Sequence, residues 1–175
     1  MKVTIVEYRP EWRQVFEEEK RILQLALAEV PAQIEHIGST SVEGLAAKPI
    51  IDIMIGLEDF SIADSLVVPK IKALAYEHIK KYEDVMPFRR FFIKEEAGPV
   101  RTHQIHMVGI ETEFWERQLL FRDYLRQNES VAARYASLKK ELAEREWADV
   151  NEYADAKTEF IREMEREARD KLQET

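Results

Sequence analysis

Apolar positions first recur at helical spacing near the start of the chain. Trp12, Phe16, Leu23, Leu27 and Val30 keep to one stripe. Pro10 suits a first helical position, because its missing N–H would be unpaired there anyway, and Pro31 closes the run. Residues 33–37 then read as a short strand. After a stretch rich in turn formers and hydroxyls, residues 49–57 form a near-continuous β-branched run, the pattern of a central strand covered on both faces. A short helix is expected over Pro69–Ala75, and strands over Phe88–Lys94 and Thr102–Val108 with a turn at 95–100. After Gly109 the pattern turns helical, over 113–127, 130–145 and 151–172. Val131, Tyr135, Leu138 and Leu142 make one stripe there; Tyr153, Phe160, Ile161, Met164 and Ala168 make another. The reading is an α/β (α+β) chain. A mixed sheet flanked by helices is followed by a helical C-terminal third, and the whole of 1–175 forms one domain, with a sheet core to about 110 and helices from about 111.

Composition narrows the chemistry. There is no cysteine, so disulfides, thiol nucleophiles and thiolate zinc sites are excluded. Charges arrive too early for a secretory leader, and no apolar run approaches the roughly 20 residues of a membrane span, so a cytoplasmic protein without a membrane partner is expected. The formal net charge is −8, which gives little long-range attraction for duplex nucleic acid and favours a small-molecule partner.

One charge breaks the apolar strand, Asp52. A carboxylate there is costly unless it is paired or holds a metal. Thirteen residues earlier a strand runs into Gly38-Ser39-Thr40, where glycine permits a sharp turn and exposed N–H and hydroxyl groups suit phosphate oxygens. Gly-Ser followed at this distance by an acidic residue on the next strand resembles the nucleotidyltransferase superfamily. Further pieces sharpen the likeness: Glu35-His36-Ile37-Gly38-Ser39-Thr40, Gly44-Leu45-Ala46-Ala47-Lys48-Pro49, Ile51-Asp52-Ile53, His103-Gln104-Ile105-His106, Phe121-Arg122-Asp123-Tyr124-Leu125, and Tyr153 through Lys157 to Phe160-Ile161. Together they resemble the GrpB family, over nearly the whole chain. That resemblance implies a nucleotidyltransferase-like fold, with Glu43 departing from an expected proline. It carries no settled activity; family members are sometimes fused to dephospho-CoA kinase.

The superfamily pattern implies two carboxylates two residues apart, on one face of the strand, holding the metal ions of phosphoryl transfer. Here Met54 stands in the second place, a poor ligand for Mg²⁺. Asp52 with His106, and Glu35 in addition, are the candidate ligands for Mg²⁺ or Mn²⁺, with Asp52 and His106 the candidate catalytic pair. Gly38, Ser39, Lys48, Arg122 and Lys139 are candidate binders of a nucleotide-like ligand. Of Arg89 and Arg90 only one faces the site side of its strand, and Arg90 is taken as the candidate. Structural roles stay open: Asp52 as a buried ion-pair partner, His103 and His106 as sheet residues, Arg122–Asp123 as an internal salt bridge, Lys139 and Lys157 as snorkelling lysines. The functional expectation is metal-dependent transfer of a nucleotidyl or phosphoryl group to a small acceptor. The alternatives are a non-catalytic module for a nucleotide- or CoA-type ligand, and a protein-interaction domain.

Overall fold

The computed structural model describes all residues except Ala97, Pro99, Glu174 and Thr175. Helix α1 runs over Glu11–Ala26 with Pro10 as its cap. It turns Trp12, Phe16 and Leu23 inward, and Leu27 and Val30 extend the same stripe beyond its end. Strand β1 (Ala32–Ile37) follows, then one 3₁₀ turn at Ser39–Ser41 and strand β2 (Ile51–Leu57). Helix α2 covers Val68–Lys72 after a π-helical turn at Ala63–Val67; it ends three residues short of the expected Ala75, which has φ 63° and so leaves the helical backbone. Strands β3 (Glu77–His78), β4 (Arg89–Glu96) and β5 (Val100–Gly109) complete the sheet. β4 runs on through Glu95 and Glu96, which the sequence pattern assigned to the turn; two residues of that turn lie outside the described ones.

The sheet is five-stranded, in the order β1-β2-β5-β4-β3. β2 is parallel to β5 and antiparallel to β1, and β4 is antiparallel to β5. Side chains alternate across a strand, so this register sorts them into two faces. On one face Ile34, Ile51, Ile53, Ile55, Phe92, Ile105 and Met107 pack against Trp12, Phe16 and Leu23 of α1 and Ile71 of α2. The other face carries Glu35 and Ile37, Asp52 and Met54, Gln104 and His106, with Arg89 and Phe91 beyond them.

Helices α3 (Glu113–Gln127) and α4 (Glu129–Ala143) fall where the sequence puts them. Thr112 caps α3, its hydroxyl accepting from the Trp115 N–H at 3.3 Å. The helix expected over 151–172 is two helices, α5 (Val150–Asp155) and α6 (Thr158–Gln173). Val42 and Leu45, after the 3₁₀ turn, pack with Tyr124, Leu125, Tyr135, Met164 and Ala168, which ties α3, α4 and α6 to the loop before β2. No helix among the described residues is long and apolar enough to cross a membrane.

Candidate functional site

The site begins where β1 ends. Gly38 has φ 69°, a conformation glycine adopts freely and other residues pay for in steric strain. It also lies on Asp52: a Cβ at Gly38 would sit 2.9 Å from the Asp52 Cβ and Cγ. Asp52 is half-buried beside its register partner Gln104. The Gln104 side-chain amide donates to Asp52 Oδ1, and its oxygen accepts from Arg101 Nη1 at 3.4 Å. Burial pushes the Asp52 carboxyl up to about 6; the Gln104 hydrogen bond and the charges of Lys157, Lys48 and Arg101 oppose that rise.

Three lysines surround this carboxylate. Helix α4 carries Lys139 into the interior, where it is 2% exposed. Its Nζ donates to Ser39 Oγ at 2.8 Å and to the Ala46 carbonyl, and it lies 4.6 Å from the centre of the Tyr135 ring. At the break between α5 and α6 Lys157 lies inward, 4.4 Å from the centre of the Tyr153 ring. Lys48, arriving from before β2, sits 4.2 Å from the same ring. Such cation–ring contacts offset part of the cost of removing an ammonium from water. Burial lowers all three lysines, Lys139 to about 7 and Lys157 to about 8, while Asp52 works in the opposite direction on each. Lys48 and Lys157 donate no hydrogen bond among the described residues. The Tyr153 hydroxyl, buried between them, has no hydrogen-bond partner there either.

The other sequence candidates lie apart from this cluster. Glu35 accepts from Arg122 Nη1 at 2.6 Å, and Arg122 also holds Asp123 at 2.7 Å and the His36 carbonyl at 3.2 Å. That network ties β1 to α3 and lines a groove of about 810 Å³ beside α1. His106 shares the face of Asp52, but one rung along, paired with Met54. Its Nδ1 lies 3.1 Å from Arg89 Nη1, and its ring packs on Phe91 and Phe114. Burial, with the Arg89 charge added, holds it down to about 3. Arg90 is a correction: the register puts it on the opposite face, bound to both Asp64 oxygens at 2.7 Å, and Arg89 is the arginine on the Asp52 side. The sequence reading missed Gln104 as the partner of Asp52, and left Lys157 between a basic residue of a phosphate pocket and a solvated or snorkelling helix lysine.

Comparison with known proteins fits this geometry. The model of the GrpB protein family matches residues 2–167. The chain belongs to the GrpB family. A UPF0157 protein of Halalkalibacterium halodurans is 37% identical to this GrpB-family chain, over 95% of the chain and 82% of the relative. The crystal structure of the conserved protein GrpB from Enterococcus faecalis superposes with a TM-score of 0.82 at 37% identity, covering 97% of this chain and 99% of that one. A dephospho-CoA kinase of Mycolicibacterium paratuberculosis is 28% identical, over 96% of this chain and 46% of its own length. The Cid1 poly(U) polymerase with MgGTP bound shares the fold alone, with a TM-score of 0.56 at 15% identity, over 81% of this chain and 45% of that one.

The GrpB-family residues at this position do not fit a pair of divalent metal ions. Such ions want several hard oxygen donors. Asp52 supplies the one carboxylate on its rung, Gln104 turns an N–H toward it, and the next rung offers a buried thioether. Lys48 and Lys157 add positive charge to the same spot. Among the described residues no three His, Asp or Glu side chains converge as a metal site, and Asp52, His106 and Glu35 are held by three different partners.

Proposed function

We propose that this chain binds a small phosphorylated ligand, of nucleotide or CoA type, between the Gly38–Ser39 turn and the lysines of α4 and the α5–α6 junction. Ammonium groups take the part that metal ions play elsewhere on this fold. One observation carries the reading. Lys48 and Lys157 both lie against the Tyr153 ring near one carboxylate, and neither donates a hydrogen bond among the described residues. Like charges brought together out of water destabilise the free protein unless an anion joins them. A phosphate group supplies the missing acceptors and returns both lysines toward their ordinary protonation. The likeness to a dephospho-CoA kinase over part of that protein's length supports a CoA-type ligand as well as a nucleotide. Transfer chemistry keeps the fold but lacks the carboxylates that would hold its metals.

The test is a thermal-shift panel of nucleoside triphosphates and CoA precursors, each with EDTA or Mg²⁺, on wild type, Lys157→Met and Asp52→Asn. A ligand at 100 times its Kd stabilises by about 2.7 kcal/mol, which is readily seen. The expected result is a shift that persists in EDTA and disappears in Lys157→Met. A shift that needs Mg²⁺ and vanishes in Asp52→Asn would replace this reading with metal-dependent transfer. No shift with any phosphorylated compound would end both.

A further inference from the structure

We infer that Ser39 and Lys139 form a nucleophile–base pair able to accept a short acyl group from an activated ester or thioester. The proposal places a second chemistry on Ser39 and Lys139, which also border the phosphate site, and it draws on Lys157 only for its charge.

Ser39 stands at a sharp strand-to-helix turn, directly after a glycine with φ 69°. Ser39 opens the three-residue 3₁₀ turn and is half-buried, so its hydroxyl can be reached beside the glycine. Lys139 arrives from α4, a hundred residues away in sequence, with its Nζ 2.8 Å from Ser39 Oγ. The surroundings of that nitrogen suit a neutral amine. An amine has two N–H groups and one lone pair. As an ammonium, Lys139 donates to Ser39 Oγ; once it has lost a proton, the Ala46 carbonyl and the Tyr135 ring face hold the two remaining N–H groups, and the lone pair turns to the Ser39 hydroxyl. Burial, strengthened by the charge of Lys157, holds Lys139 down to about 7, so the neutral form is accessible near neutral pH.

The space beside Ser39 selects the electrophile. A cavity of about 100 Å³ touches Gly38 and Ser39, with Phe121, Leu125, Tyr135 and Ile161 in its wall. That volume holds only a few non-hydrogen atoms, and Gln118 and Glu165 complete a wall of mixed polarity; the size admits a short acyl group, and the Glu165 carboxylate disfavours a phosphoryl anion. Arg122 also lines it, but is already bound to Glu35 and Asp123. In the step itself, Lys139 Nζ takes the Ser39 proton as Oγ attacks the carbonyl carbon, and the carbonyl π pair moves to oxygen. When that pair returns, the bond to the alcohol or thiol breaks, and the leaving group takes the proton from Lys139. Ser39 is left as an ester. Water repeats the sequence to release a carboxylic acid and restore both residues.

The experiment treats the full chain with para-nitrophenyl acetate, following nitrophenolate release and locating the acetyl group by intact mass and peptide mapping. Ser39→Ala removes only a hydroxyl from a half-buried position, and Lys139→Arg keeps a cation but removes the base. The expected result is acetylation of Ser39, absent in Ser39→Ala. In Lys139→Arg it slows by on the order of a hundredfold, the scale of a positioned general base. The wild-type rate should rise with pH through about 7 as Lys139 loses its proton. Acetyl on lysine rather than Ser39, an unchanged rate in Ser39→Ala, or unchanged Ser39 acetylation in Lys139→Arg would overturn the proposal.

Discussion

Two neighbouring rungs on one face of the sheet behave as different materials. On the first, Asp52 and Gln104 lie side by side, half-exposed, with Lys48 and Lys157 in electrostatic range. On the second, two residues along each strand, Met54 lies beside His106. Met54 is fully buried among Ile37, Val108 and Trp115, while His106 is closed over by Phe91, Phe114 and Arg89. The backbone register is the same. The difference is the cover: α3 lays Trp115 on the second rung, whereas the first is roofed by Gly38, which has no side chain to fill the space. A nucleotidyltransferase-like sheet therefore keeps its polar opening at one rung, while at the next Met54 has become core between the partly buried Glu35 and His106. Restoring a carboxylate to the second rung should break the fold before it makes a metal site. Met54→Asp places an unpaired charge at a fully buried position and is expected to cost more than about 4 kcal/mol in denaturant unfolding, with no recovery on adding Mg²⁺. A folded Met54→Asp protein whose Tm rises with Mg²⁺ would show that the two rungs are still one site.

The first rung is sharpened by a pair of glycines. Gly38 and Gly44 both have positive φ, 69° and 75°, and with ψ −174° Gly38 lies in a region that essentially only glycine visits, so alanine at Gly38 carries a backbone cost of about 1–3 kcal/mol before any contact is counted. At Gly44 nothing lies within 4 Å of the added Cβ, whereas at Gly38 it meets Asp52. Gly38→Ala should cost about 1–2 kcal/mol more than Gly44→Ala, because Asp52 must also move. It should also abolish any shift with phosphorylated ligands, which Gly44→Ala should leave in place. Equal losses in both variants would mean that the close approach of Gly38 to Asp52 is incidental.

How far the sequence disclosed these features follows from range. The β2 strand, the Gly38 turn and helices α1, α3 and α4 are written in local periodicity and in residues with strong backbone preferences, and each falls within a few residues of its reading. What depended on register did not come through. The choice of Arg90 over Arg89 is a one-residue matter of which face a side chain takes, decided by pairing with β5. The amide at Gln104 gained meaning only once β5 lay in register beside β2. Lys157 stayed open for a different reason. No glycine or proline marks the end of α5, so 151–172 reads as one helix; in the fold Asp149 caps α5 and the helix stops at Asp155. Tyr153 and Lys157 stand at i and i+4, a spacing that shares one face, and the lysine lies against its tyrosine in the interior.

The rungs should also titrate in opposite directions. His106, on the second, is held down to about 3, as is His36 on the other face; burial is the first cause for both, and neighbouring arginines add to it. An unfolded histidine takes up a proton below about 6.5, and these folded ones do not, so each makes stability fall as pH drops from about 6.5 toward 3. Asp52 has the contrary sign. Its folded pKa of about 6 lies above the 3.8 of an unperturbed aspartate, so the folded state holds a proton that the unfolded state has released, and stability rises on acidification across that window. Near pH 5 the three groups together leave a net uptake of one proton on unfolding, a slope of about 1.4 kcal/mol per pH unit. Asp52→Asn removes the opposing term and should about double that slope. His106→Asn should bring the contribution of these groups close to zero. Urea unfolding of the three proteins from pH 4.5 to 5.5 reads the slopes directly, and the differences among them cancel the titration of surface carboxylates common to all. If Asp52→Asn flattened the pH dependence instead of steepening it, Asp52 would be a stabilising ion-pair partner in the folded protein, and the first rung would be as structural as the second.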